Sequence, residues 1–400
     1  MPKGFYFLIG AQFASGLADN ALLILGIYFL NEQGYPGWWA PLLKFSLTLA
    51  YVLLASVVGP VSDAFAKNRV MAWMNALKMF GVFLLLCGAQ PLLAFAVIGL
   101  AASLYAPAKY GLVTESVSPR WLVRANAWLE VSVVLSVIFG IALGGALTGL
   151  SEASAWTTLG VETKTLSAMG IVVGVYLVAA LLNFGLKPMK LAQTRVPLNW
   201  HAVRVSTFWR SNLKLWRDPL GGVSLYVTTL YWGVGAVMQF AVLLWAQQTL
   251  SLTLKGGAYL QALVAVGVIT GAYLAGRYFK LHVARQALPW GIVLAVLLPV
   301  IVMVSDMAWA IPLLLGVGMA GGLLLVPMNA LLQHRGMQVL SAGRSIAVQG
   351  FNENLSVLLM LAIYSALLSY GVSLTWIMVM LATLLIAGIA PLCLFVIRRL

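Results

Sequence analysis

Apolar residues run along this chain in long tracts, and polar ones collect in the short gaps between them. A helix that crosses a bilayer needs about 20 mostly apolar residues, because each backbone polar group must be satisfied within the segment. Tracts of that length fall at 5–30, 40–62, 70–88, 92–114, 123–149 and 166–186, and again at 219–247, 258–277, 288–305, 309–332, 345–369 and 372–397. The pattern predicts twelve transmembrane helices, six on either side of Lys187–Arg217. That stretch carries seven Lys or Arg and no Asp or Glu. The expected organisation is an all-α integral membrane protein, with a six-helix bundle over 1–186, a basic linker over 187–218 and a second six-helix bundle over 219–400.

Composition removes the soluble alternative. With 62% hydrophobic residues, 8% charged ones and a mean hydropathy of +0.98, the 400-residue chain lacks the polar surface to cover a water-soluble fold. Its net charge of +14 would suggest nucleic acid if the bases were clustered on a soluble domain. They sit in short loops instead, the arrangement that orients spans with positive loops inside and draws in anionic lipid headgroups. Placing the basic linker in the cytoplasm puts both termini there. Nineteen Lys/Arg then lie on that side and two, Lys164 and Lys255, on the other. Lys44, Lys78 and Lys109 remain within spans, with Lys44 near enough to an end to snorkel. The N-terminal tract is too long for a signal peptide and carries Asp19-Asn20 in its middle, so it is expected to be retained as a helix. Cys87 and Cys393 fall late in the third and twelfth spans, at opposite faces, and no disulfide is expected.

The halves look like diverged copies. Pro107 precedes Arg124 by the same interval as Pro327 precedes Arg344, and the spacing of Gly140, Gly144 and Gly149 in span five recurs as Gly267, Gly271 and Gly276 in span eight. Two six-helix repeats about an axis along the membrane normal describe the major facilitator architecture, which rocks one half against the other. Small residues at every fourth position allow close helix approach, and the pattern predicts that spans five and eight meet through them; the alternative is that glycine is simply common in membrane helices.

Ionisable groups inside a bilayer are costly and mark function by default. Span one offers Gln12, Gly16 and Asp19 along one helical face, with Asn20 beside them. Span three offers Asn75 and Lys78; span four, Tyr105 and Lys109; span five, Asn126 and Glu130; span eleven, Gln349, Asn352, Glu353 and Ser356. The structural alternative is a set of buried ion pairs and hydrogen bonds that only hold the bundle together. It weighs most for Glu130 and Glu353, near the cytoplasmic ends, and less for the mid-membrane Asp19 and Lys78. The signs suggest pairing of Asp19, Glu130 and Glu353 with Lys78 and Lys109, without saying which goes with which. No enzyme signature appears: His201, His282 and His334 all fall in expected loops, and no HExxH, Walker A, GxSxG or Cys/His metal cluster is present. No cofactor is expected.

Between spans two and three, Gly59-Pro-Val-Ser-Asp63-Ala-Phe-Ala-Lys67-Asn-Arg69 resembles the major facilitator signature loop, with Ala66 where the common pattern has Gly. The resemblance implies that Asp63 caps and pairs with neighbouring helix ends to hold the outward-open state, with Gly59, Lys67 and Arg69 as the rest of the latch. Gln12-Phe13 and Asp19-Asn20-Ala21-Leu22-Leu23, then Asp63 to Met71, Ala106-Pro-Ala-Lys-Tyr-Gly111, Pro327 to Gln333 and Ala347-Val-Gln349 with Glu353-Asn354 resemble, in order over nearly the whole chain, the bacterial lysophospholipid transporter family of that superfamily. That resemblance implies movement of lysophospholipids such as 2-acyl-glycerophosphoethanolamine from the outer to the inner leaflet of the bacterial inner membrane, where a separate acyltransferase repairs them. Asp19 and Lys109 match the family's polar positions; in span seven a basic residue is expected and Gln239 stands there. Together with Asn20, Lys78, Tyr105, Glu130, Gln349 and Glu353 these are the candidate substrate-binding residues, the lysines for a phosphate and the acids for an ammonium. Two other readings are a proton-coupled exporter of amphipathic drugs and a non-transporting membrane scaffold for the acyltransferase.

Overall fold

The computed structural model describes residues 3–397 apart from 33, 36–38, 151–156, 159–160, 186–197 and 253. Lys187, Lys190, Arg195, Arg398 and Arg399 therefore lie outside the described residues, as do the side chains of Lys3, Lys164 and Lys255. The helices follow the apolar tracts closely. They are α1 (Lys3–Glu32), α2 (Trp39–Leu53), α3 (Ala55–Ala64), α4 (Lys67–Leu86), α5 (Pro91–Ser116), α6 (Leu122–Leu150) and α7 (Thr163–Gly185). After the short α8 (Trp200–Val203) and α9 (Val205–Arg217) come α10 (Gly221–Gln248), α11 (Leu254–Tyr278), α12 (Pro289–Met303), α13 (Met307–Val339), α14 (Ala342–Ser369) and α15 (Leu374–Ile397). A two-residue hairpin, β1 (Thr157–Thr158) with β2 (Val161–Glu162), sits before α7. Cys87 and Cys393 are both free thiols.

Among the described residues eleven helices are long and apolar enough to cross a membrane, and α2 with α3, bent by 68° between them, make twelve if the pair counts as one broken span. The sequence reading had that span unbroken over 40–62. The break falls at Leu54, whose φ/ψ of −96°/4° leaves the helical region, and α3 beyond it carries Pro60. A proline removes one helical donor and crowds the preceding turn. A second correction concerns the histidines. His201 lies on α8, His334 on the last turn and a half of α13, and His282 in a 3-10 turn over Leu281–Ala287.

The described residues form two compact units. The first comprises Met1–Val117, Ser132–Asn212 and Leu340–Gly350; the second, Ser118–Val131, Leu213–Val339 and Phe351–Leu400. In the first, Leu22 and Leu25 of α1, Leu43 of α2, Val82 of α4, Phe95 and Ile98 of α5 and Met169 and Val172 of α7 build a core. In the second, Trp245, Leu298, Leu314, Leu324, Met328, Ile377 and Leu385 do so from α10, α12, α13 and α15. Many large apolar side chains stay exposed, among them Phe83, Leu181 and Trp309, as a helix facing lipid requires.

The repeated glycines work differently from expectation. Gly140 and Gly144 of α6 seat on α1, where added Cβ atoms would come within 2.7 Å of Leu17 O and of Ile24 Cβ respectively. Gly267 and Gly271 of α11 seat on α13, against the carbonyls of Leu315 and Met319. Gly276 alone brings spans five and eight together, with Ala127 of α6 within 2.6 Å of its would-be Cβ. The small faces serve close backbone packing, each chiefly with a different neighbour from the one predicted.

Candidate functional site

Within the first unit the polar residues of four helices converge. Lys78 Nζ on α4 donates to Asp19 Oδ2 on α1 at 2.7 Å and to Ser15 Oγ at 3.0 Å. Ser15 Oγ in turn donates to Asn75 Oδ1 at 2.8 Å, and Tyr176 OH of α7 donates to Asp19 Oδ1 at 2.7 Å. The rings of Tyr105 and Tyr176 lie 5.0 and 5.6 Å from the ammonium, at cation–π range. A lysine in hydrocarbon is tolerable only with such company. This cation is 1% exposed, whereas the Asp19 side chain is 33% exposed. Lys78 is thus sealed among its neighbours on α1, with Asp19 the more open member of the pair.

The span-one stripe is also redrawn. Gln12, Ser15 and Asp19 meet α4 and α5. Gly16 and Asn20 occupy the side packed on α6, where Gly16 faces Ser136 and Asn20 faces Gly140. Asn20 spends an N–H on Gly16 O at 2.8 Å. Two turns before Asp19, Gln12 Oε1 accepts from Lys109 Nζ of α5 at 3.1 Å, and the Lys109 ammonium lies 4.4 Å from the Tyr110 ring centre. Tyr105 and Lys109, four apart, thus both face this polar seam. Gln349 of α14 also belongs to this unit and is buried.

At one end of the unit is the Asp63 site. Asp63 Oδ1 accepts from Gly343 N–H at 2.8 Å, and Oδ2 from Ser341 Oγ at 2.5 Å and Arg344 N–H at 3.2 Å. These amides are the unsatisfied first donors of α14, so the carboxylate caps that helix and meets its positive dipole end. Gly59 makes room: a Cβ there would come 2.9 Å from Arg344 Cα. Lys67 stands 3.8 Å from Asp63 but 2.7 Å from Glu115 of α5, and Gly111 leaves space for its stem. Arg69 is exposed.

In the second unit, Asn126 of α6 and Gln333 of α13 exchange two amide hydrogen bonds, at 2.9 and 2.8 Å. Glu130, one turn on, is buried. Asn352 Oδ1 accepts from Trp216 Nε1 at 3.2 Å, Ser356 packs on Gly233, and Glu353 between them is partly exposed. Gln239 is exposed, and its backbone carbonyl accepts from the Gln261 side chain. Arg335 grips Asp218 through two nitrogens, at 2.6 and 3.1 Å, while Asp218 caps α10 through Gly221 N–H at 2.7 Å. Burial alone would raise the Asp218 pKa, but the Arg335 hydrogen bonds and charge and the two amides outweigh it and hold the carboxyl below its ordinary value.

Sequence reasoning missed Ser15, Tyr176, Glu115 and Ser341. Ser15 had a signal, lying three residues after Gln12 and four before Asp19. Tyr176 had none, as a single tyrosine in a mostly apolar span with no charged residue near it. Among the described residues no group of three or more His, Cys, Asp or Glu could hold a metal.

The chain matches the family profile of the Major Facilitator Superfamily over residues 8–351. It is 36% identical over 374 residues to the lysophospholipid transporter LplT of Yersinia enterocolitica, an alignment covering 93% of this chain and 89% of that protein. To the LplT of Yersinia pestis it is 34% identical over 363 residues, covering 90% and 86%. Among solved structures, the major facilitator transporter FucP in its outward conformation has a TM-score of 0.78 at 14% identity, covering 98% of each chain. The human organic anion transporter MFSD10 has 0.72 at 14%, covering 98% of this chain and all of that one. Such identities speak to the fold alone. With twelve spans, counting the broken one, and relatives this similar along nearly their whole length, the chain belongs to the lysophospholipid transporter family of the Major Facilitator Superfamily, multi-pass membrane transporters rather than enzymes.

Proposed function

We propose that this protein carries lysophospholipids, 2-acyl-glycerophosphoethanolamine among them, from the outer to the inner leaflet of the bacterial inner membrane by alternating access, with the basic loops and both termini in the cytoplasm. The observation that carries the reading is the Asp19–Lys78 pair: a charged pair in an apolar interior, closed on the lysine side and one-third open on the carboxylate side. Lys78 and Tyr176 hold the Asp19 carboxylate in place by hydrogen bonds, so its open edge can take an ammonium without reorganising. Lys109 is the contact for the phosphate. Its partner Gln12 lies two turns from Asp19 on α1, roughly 10 Å by helical rise, so a headgroup would meet the two charges in succession. Tyr105 and Gln349 of the same unit add to the polar lining in this reading, and the acyl chain travels along apolar helix faces. Gly59, Asp63, Lys67 and Arg69 bias the conformational equilibrium and do not touch the lipid. A cytoplasmic-side acyltransferase consumes the product.

The test is lysolipid flipping in proteoliposomes of the purified chain. The wild type should move lysophosphatidylethanolamine well above protein-free vesicles. Lys109→Ala should abolish transport of every lysophospholipid with the fold intact, and Lys109→Arg should keep part of it. Regain of full transport on pairing Lys109→Ala with Glu130→Gln or Glu353→Gln would sink the phosphate role. Drug flux that collapses with the proton gradient would instead establish an exporter, and no flux of any amphiphile a scaffold.

A further inference from the structure

A cavity of about 740 Å³ opens in the second unit, and none of its lining residues belongs to the Asp19 cluster. Six of its lining residues are cations: Arg120 in a 3-10 turn just before α6, Arg124 in the first turn of α6, Arg277 in the last turn of α11, Lys280 and Arg285 between α11 and α12, and Arg335 on α13. No Asp or Glu lines it. Arg335 already holds Asp218 at 2.6 Å. None of the other five forms an ion pair among the described residues. Arg120 and Arg124 both stand near one ring, 5.5 and 5.7 Å from the Trp121 centre. Five like charges around a concavity repel each other and raise its potential, which an incoming anion relieves. Between the cations stand Trp121, Phe279 and Leu331, so the wall alternates charge with apolar surface.

We propose that this cavity is a binding site for the phosphodiester headgroup of an anionic diacyl phospholipid of the surrounding leaflet, distinct from the transport site. Shape and chemistry favour a lipid over a free phosphate. The volume is that of a site for a molecule of drug size, and inorganic phosphate would leave most of it empty. The apolar segments suit a glycerol and the first methylenes of its chains. Basic pockets at the ends of spanning helices attract such headgroups, at about 1 kcal/mol per Lys or Arg near the surface. The inference stands independently of the transport reading, because the probe is a diacyl lipid.

The test uses the full chain in nanodiscs of phosphatidylcholine doped with phosphatidylglycerol, counting retained phosphatidylglycerol by native mass spectrometry after release. The wild type should retain it in preference to phosphatidylcholine. The triple variant Arg277→Gln/Lys280→Gln/Arg285→Gln should bind it about a hundredfold more weakly, the loss expected for three surface cations, with an unchanged melting temperature in pure phosphatidylcholine. The charge-matched Arg204→Gln/Arg210→Gln/Arg217→Gln, on the exposed linker, should retain the adduct. Equal loss in both variants would overturn the site in favour of net charge. Equal retention of phosphatidylcholine, or displacement of phosphatidylglycerol by millimolar inorganic phosphate, would overturn the headgroup assignment.

Discussion

The two units solve the interior of a membrane protein in opposite ways. The first places a lysine, a carboxylate, a tyrosine, a serine and an asparagine in its interior, joined by hydrogen bonds among Lys78, Asp19, Tyr176, Ser15 and Asn75 Oδ1. The second fills its centre with apolar side chains and brings α11 onto α13 through Gly267, Gly271, Gly318 and Gly322, whose Cβ positions are occupied by the partner helix backbone. Lipid is as apolar as leucine, so neither unit gains much from hydrophobic burial between helices. Polar bonds and close backbone packing are the two remaining sources of association. The difference teaches where chemistry can reside. The glycine seam between α11 and α13 leaves no room there for any side chain, whereas the first unit keeps a charge pair in its interior.

The sharpest way to break the comparison is to strand the buried cation. Asp19→Ala leaves Lys78, 1% exposed, without its counter-charge and should cost about 4 kcal/mol. Lys78→Met strands only a carboxylate that is one-third open and should cost about half as much, after solvent screening. Thermal melting of the purified variants reads this asymmetry, and equal losses would contradict the sealed-lysine geometry. The matching attack on the second unit is Gly318→Val. Its side chain would fall on Val264 O and the Val268 amide, so it should cost about 3 kcal/mol by overpacking, read in the same melt. A neutral result would remove the glycine account.

Smaller effects sharpen the contrast at the two capping carboxylates. Asp63→Asn keeps the shape of the α14 cap but loses its charge, and should destabilise by about 1 kcal/mol. Under the latch proposal it slows lysolipid flux with little loss of lysolipid binding; equal losses of both would reject the latch. The smallest effect belongs to Asp218. Its folded pKa is depressed below the 3.8 of a free carboxyl, so the stability it contributes is present above that value. That stability is lost as the pH falls through the folded value. The melting difference between wild type and Asp218→Asn should therefore be visible at neutral pH and close in strong acid. A gap that widened on acidification would reverse the sign.

Much of this molecule was readable from its residues. The helix count and most boundaries follow from apolar length alone, because a spanning segment must satisfy its own backbone and so declares itself locally. The capping of a helix end by Asp63 was implied by the resemblance of its loop, and Asp19 and Lys78 stood out as charges where charge is expensive. Partners were not readable. That Lys78 takes Asp19, that Lys67 prefers Glu115, and that Gly271 seats on Met319 are choices among helices far apart in sequence. They depend on rotation and depth that no local pattern encodes. The cationic cavity was likewise invisible as a cavity, since its arginines and lysine lie on three separate segments of the chain and read singly as orienting charges. Sequence determined which groups must be expensive to bury; only tertiary structure decided which neighbour repays each of them, because that depends on how the helices are turned against one another.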